Sequence, residues 1–158
     1  MTLKGKLSDD LKDAMRAGDA IRRDVLRGLL TAISNTEIAR VNVKDAGAGR
    51  EDLTDEQTVD VIQKQAKQRR ESIEEFNKAG RQDLVDRETA ELAILSSYLP
   101  QQLSRDEIVE EVRRVIAETG ASGPGDKNKV MPAAIARMKG KADGRAINEV
   151  VSELLGGR

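Results

Sequence analysis

The stretch KQAKQRRESIEEFNKAGRQDL, Lys64 to Leu84, reads as the end of one helix, a turn at Gly80 and the start of a second helix. Val59, Ile62, Ala66, Ile73 and Phe76 recur at the i, i+3, i+4, i+7 spacing of a helix that turns one face to a core. Arg69 falls inside that face. Burying an unpaired guanidinium is costly, so the charge requires a partner on another element or an outward path along its own stem.

A tight turn at Gly80 pairs the two helices antiparallel, and residues equally far from the turn then lie at similar heights. Arg69 and Glu91 stand eleven positions away on either side. Leu84, Leu92, Leu95 and Leu99 mark the apolar face of the second helix, and Glu88 and Glu91 project from it where leucine is expected. The expectation is a largely buried ion-pair network in which Arg69, with Arg70, meets Glu88 and Glu91. Read as architecture, it fixes the register of two otherwise interchangeable apolar faces. Read as chemistry, two glutamates one turn apart form a catalytic carboxylate pair, but they have no histidine, metal companion or phosphate loop beside them. The architectural reading is preferred.

Outward from this hairpin, glycines, prolines and capping residues cut the 158-residue chain into amphipathic segments without strand-like alternation, and the fold class is all-α. Leu3, Leu7, Leu11 and Met15 mark a first helix ended by Gly18. Asp19 caps a second, with Ile21, Val25, Leu26, Leu29, Leu30 and Ile33 inside. VNVKDAGAGRED, Val41 to Asp52, reads as a mobile loop spanning the length of a bundle. Thr54 with Gln57, and Ser104 with Glu107, form capping boxes. The break at Pro100 divides a four-helix region, 1–100, from a three-helix region, 101–158. In the latter, Ile108, Val112, Val115 and Ile116 line one helix, and Val130, Met131, Ala134 and Met138 line the next, which stops at Gly140. Asp143 caps the last, which carries Ile147, Val150, Val151, Leu154 and Leu155.

Composition excludes whole classes of function. The chain has neither cysteine nor histidine, which removes disulfides, thiol nucleophiles, the commonest general base and the commonest metal ligand. No metal and no cofactor is expected. Phe76 and Tyr98 are the only aromatics, too few to stack splayed bases, and a net charge of −1 leaves nucleic-acid contact to a local patch. No apolar run reaches membrane-span length, the opening MTLKGKLSDD lacks the apolar centre of a signal peptide, and a cytoplasmic location is expected.

Several stretches together resemble the YqeY family, small bacterial proteins similar to the C-terminal tail of the B subunit of the glutamine-dependent aspartyl/glutamyl-tRNA amidotransferase. They are Gln68 to Arg70, Gly80-Arg81 with Asp83-Leu84, Tyr98-Leu99-Pro100, and the run Lys139 to Gly144. The resemblance extends from VLRGLLTAISNTEI to DKNKVMPAAIARMKGKADGRAINEVVSELL. It implies a two-part helical fold and an association with carbon-nitrogen ligase activity using glutamine as amide donor. The chemistry of that enzyme belongs to another domain, so binding is expected of this chain and catalysis is not. One departure is Asn128, where the family usually carries glycine; asparagine tolerates glycine-like angles and caps helices.

Between Lys127 and Arg145, the basic residues Lys127, Lys129, Arg137, Lys139, Lys141 and Arg145 face one acidic residue, Asp143. Two helix N-termini fall in the same region, and their free amides favour phosphate oxygens. Lys127, Asn128, Lys129, Lys139, Lys141 and Arg145 are therefore the candidate nucleic-acid-binding residues of a basic three-helix head, suited to read the backbone of folded RNA. The expected partner is tRNA or a tRNA-dependent enzyme. The blander reading is a solvated helix face. An alternative function is a protein-interaction module in which Met131 or Met138 docks on a translation or replication partner.

Overall fold

The computed structural model describes residues 1–44 and 50–156, the side chains of 42–44 excepted. Among the described residues there are seven α-helices and no strand, so the protein is all-α. They are α1 Leu3–Ala17, α2 Ala20–Lys44, α3 Asp55–Lys78, α4 Gln82–Ser96, α5 Arg105–Thr119, α6 Lys127–Arg137 and α7 Gly144–Leu154, with a single 3-10 turn at Pro124–Asp126.

Local chemistry sets most helix ends. Asp19 Oδ1 accepts from the Arg22 amide at 3.1 Å, and Thr54 and Ser104 each form the reciprocal box with Gln57 and Glu107. Gly18 and Gly80 both adopt φ of 69°, a left-handed conformation in which any other side chain would be strained, and so reverse the chain after α1 and α3.

The chain forms two compact units, Met1–Leu99 and Pro100–Arg158. In the first, α3 and α4 make the most extensive pair, α1 packs along α2, and α2 also touches α3 and α4. Leu7, Leu26, Leu29, Ile33, Ile62 and Leu95 are its innermost side chains. In the second, α5, α6 and α7 pack pairwise around Val112, Val115, Val130, Met138 and Ile147.

Several positions differ from the pattern reading. The helix α2 continues to Lys44, so the first four residues of the expected loop are helical; 45–49 lie outside the described residues, and with them the expected span of the loop. Ile21 and Met15, each within a turn of the Gly18 reversal, are 46% and 52% exposed; Ile21 borders an open groove with Asp86, Arg87 and Ala90 of α4, so the apolar stripe is incompletely covered there. Met138 is fully buried, which removes it as a docking residue; it caps α6 at the point where all three helices of the second unit meet. Met131 packs against the same core, and the exposed aliphatic of α6 is Ile135. Pro132 lies inside α6 and has no N–H to give the Asn128 carbonyl, a loss water can make good because Asn128 is exposed.

Candidate functional site

The Gly80 turn brings α3 and α4 side by side, and Arg69 Nε lies 3.4 Å from Glu88 Oε2 and 3.0 Å from Glu91 Oε2. Glu91 is additionally approached by Arg87 Nε at 3.4 Å from within α4. Neither carboxylate lies along the Arg69 Nε–H direction, so the Nε contact is a short-range Coulombic one without an aligned hydrogen bond. The Arg69 side chain keeps 28% of its exposure and that of Glu91 11%, so the guanidinium sits at the rim while the carboxylate points inward. Arg70, next along α3, is half-buried. Both carboxylates thus share one guanidinium, the arrangement of an interhelical ion pair. Among the described residues no cluster of acidic side chains could hold a metal ion.

A second buried charge escapes the pattern reading. Glu37 in α2 is fully buried and is met by Lys4 Nζ and Arg50 Nε, each at 2.8 Å. A signal was available: Glu37 follows Ile33 by four residues and so continues the stripe of Leu26, Leu29 and Ile33, just as Arg69 interrupts its own.

Tyr98 closes the first unit. Its hydroxyl donates to Asp10 Oδ2 at 2.6 Å and accepts from Arg22 Nη2 at 3.0 Å, tying the end of the α4 segment to α1 and α2. Lys6 Nζ stands 5.8 Å from the ring centroid. Burial first, and the hydrogen bond to Asp10 second, push the phenol up from 10.0 to about 12. Because the fold favours the neutral phenol, its contribution to stability is fully present below pH 10 and lost as pH rises through about 12. As the sole tyrosine in a chain without tryptophan, it can be titrated by tyrosinate absorbance. The native protein is expected to ionise near pH 12 and the urea-unfolded chain near 10. Coincident curves would show an open hydroxyl.

In the second unit, Lys127 opens α6 half-buried, while Asn128, Lys129, Lys139, Lys141 and Arg145 are exposed. Gly140, at φ of 79°, turns the chain between Lys139 and Lys141. The turn is pinned on both sides: the Gly140 carbonyl accepts from Gln102 Nε2 at 2.9 Å, and the Lys141 carbonyl from the Leu103 amide at 2.8 Å. Asp143 then caps α7, its Oδ1 accepting from the Arg145 amide at 3.3 Å.

Arg137, Lys129 and Arg145 carry acidic neighbours. Arg137 reaches Glu111 at 2.5 Å and Glu118 at 2.9 Å on α5, which withdraws it from the patch, while Lys129 lies 3.7 Å from Asp126 and Arg145 3.6 Å from Glu149. The Ser122 amide and the charge of Lys129 hold the Asp126 carboxyl below its usual range. Acidic and basic residues nearly balance over 101–158, so the three-helix region is not a basic head. Asn128 lies within α6, and no residue other than glycine has positive φ among those described; the glycine-like conformation considered for it is absent.

These features define a class: an all-helical module in two units, with interior charges paired between helices and a pair of lysines on a pinned turn. The model of the Yqey-like protein family matches residues 4–155, and the chain belongs to that family. It is 40% identical over 120 residues to "Altered inheritance of mitochondria protein 41, mitochondrial" of Lachancea thermotolerans, and 39% identical over 121 to the protein of that name from Kluyveromyces lactis. Each match covers 75% of this chain and 60% of the relative, so the chain spans less than two thirds of their length. The protein of the same name from Pyrenophora tritici-repentis is 30% identical, with 97% of this chain and 81% of the relative covered.

These relatives overturn two expectations. They are fungal, so a purely bacterial family is the wrong frame, and they are named as mitochondrial, which contradicts the expected cytoplasmic location. The cytoplasmic inference rested on missing cysteines and a polar N-terminus; a chain without thiols carries no redox record of its compartment. No helix among the described residues is long and apolar enough to cross a membrane.

Proposed function

We propose that this YqeY-family chain is a binding module that engages the sugar-phosphate backbone of folded RNA, with tRNA as the substrate class, and performs no amide transfer itself. The contact residues are Lys127, Asn128, Lys129, Lys139, Lys141 and Arg145. The observation that carries the reading is the pinned turn at Gly140, whose flanking exposed lysines, Lys139 and Lys141, stand four and two residues before Asp143, the N-cap of α7. Backbone amides and ammonium groups suit phosphate oxygens and leave bases unread. The resemblance to the amidotransferase tail supports the choice of tRNA.

The test is tRNA binding across a salt series. Affinity is expected to fall steeply with salt, and the charge-reversed pair Lys139→Glu with Lys141→Glu to bind more weakly, with the logarithmic salt slope smaller by about 1 to 2. Helicity should be unchanged. Binding unaffected by the reversal would refute the reading, and so would glutamine-dependent amidation of charged tRNA by the purified chain. A second reading, a protein-docking module, draws on Ile135, which is 45% exposed on α6 between Lys129 and Lys139. It predicts that Ile135→Asp abolishes capture of a protein partner without changing tRNA affinity.

A further inference from the structure

Glu37 does more than fill a gap in its helix. Its Oε1 accepts from Lys4 Nζ at 2.8 Å and from the Leu53 amide at 3.4 Å, and its Oε2 accepts from Arg50 Nε at 2.8 Å. Lys4 is shared with Asp52 Oδ1 at 2.7 Å, Arg50 Nη2 also donates to Ser34 Oγ at 2.7 Å, and the Leu3 amide donates to Asp55 Oδ1 at 2.9 Å. One carboxylate on α2 thus receives both the first turn of α1 and the segment that leads into α3. Burial pushes its pKa up, but Lys4, Arg50 and the Leu53 amide together bring it below the ordinary carboxylate value, so the group is an anion at neutral pH.

Apart from Glu37, the contacts described for the segment from Arg50 to Thr54 are local or exposed, among them the Thr54–Gln57 capping box that begins α3. Arg50, Glu51, Asp52 and Thr54 are exposed, and Leu53 is its one buried side chain. Leu53 joins the apolar cluster of Leu7, Ile33 and Ile62 and also walls a pocket of about 280 Å³ between α2 and α3, lined with Thr36, Arg40, Gln57 and Val61. Segments held by exposed polar contacts and few apolar ones occupy the low end of a protein's local stability.

We propose that residues 50–54 are a strap latched by Glu37, which opens together with the first turn of α1 as one cooperative unit while the helical core stays folded. Opening withdraws Leu53 and joins the pocket between α2 and α3 to the space it leaves. Coupling follows from sharing: Lys4 and Arg50 bind the same carboxylate, and Lys4 also holds Asp52, so releasing either side weakens the other.

The absence of cysteine from the chain supplies a direct reporter. In a full-length Leu53→Cys protein the thiol reacts with a maleimide only when the strap opens. Adding Glu37→Gln is expected to speed labelling about tenfold, the ratio given by loss of one charge-assisted hydrogen bond. Hydrogen exchange should rise over residues 3–7 and 50–55 and stay unchanged over 62–69 and 85–95. Arg50→Met, which leaves Lys4 and Glu37 in place, tests the cooperative claim independently should the first variant fold poorly; both segments are again expected to exchange faster. Labelling unaltered by either substitution, exchange raised over 50–55 alone, or exchange raised across the whole first unit would each overturn the proposal.

Discussion

Replacing Arg69 with methionine is expected to lower the stability of the first unit by about 2 kcal/mol, below the ~3–5 kcal/mol that breaking a fully buried pair costs, because the guanidinium is partly solvated. The loss arises from what is left behind. Glu91 is 9% exposed and Glu88 half-buried, and without Arg69 the cation left beside Glu91 among the described residues is Arg87, itself largely exposed. An inward carboxylate without its counter-ion is more damaging than the pair was helpful. Adding Glu91→Leu to the methionine variant should therefore recover more than half of the loss, since leucine suits an apolar face that already holds Val85 and Leu95. Urea unfolding of the two variants and the parent measures both quantities. Equal midpoints for all three would show that the bridge contributes nothing, and a double variant worse than the single one would show that Glu91 answers to some other group.

The second large effect is expected in the other unit. Ile147 is 1% exposed in α7 and packs within the cluster that includes Val112, Val130 and Met138. Truncation to alanine should cost about 3 kcal/mol, within the range for a buried aliphatic whose cavity closes only in part. Each unit has its own core, so the loss should fall on 100–158 alone. The near-ultraviolet signal of Tyr98, which belongs to the first unit, then keeps its unfolding midpoint while far-ultraviolet circular dichroism splits into two transitions. A Tyr98 signal that shifts with the truncation would mean that the two units unfold as one body.

Much of this molecule is legible from spacing alone. The capping boxes at Thr54 and Ser104, the reversal glycines at 18 and 80 and the Asp143 cap are encoded within four residues of the positions they control, so they follow from local hydrogen bonding without knowledge of the rest of the chain. The Arg69–Glu91 contact was reachable as well, because a tight antiparallel turn converts sequence distance from Gly80 into height. Periodicity failed at helix ends. Ile21 and Met15 carry the right spacing but lie beside a reversal, where coverage depends on neighbours that the pattern does not describe. For Met138 the spacing holds: it lies on the apolar stripe of α6, and the convergence of three helices on it excludes the alternative docking role.

The candidate interface shows the same division. The count of lysines between 127 and 145 is plain in the sequence, but its arginine at 137 is claimed by Glu111 and Glu118 on a helix some twenty residues away, and no local rule foretells that. The opposite error applies to Glu37, whose place in an apolar stripe was visible while its partners, Lys4 and Arg50, lie 33 and 13 residues distant.

What the amino-acid order determines by itself is the capped starts, the glycine reversals and most of the apolar faces of the helices, because these depend on contacts within a turn or two. What only the tertiary structure decides is which charges are cancelled. Pairing depends on distances of three to four ångströms between side chains far apart in the chain, and a shift of one helical turn reassigns every partner.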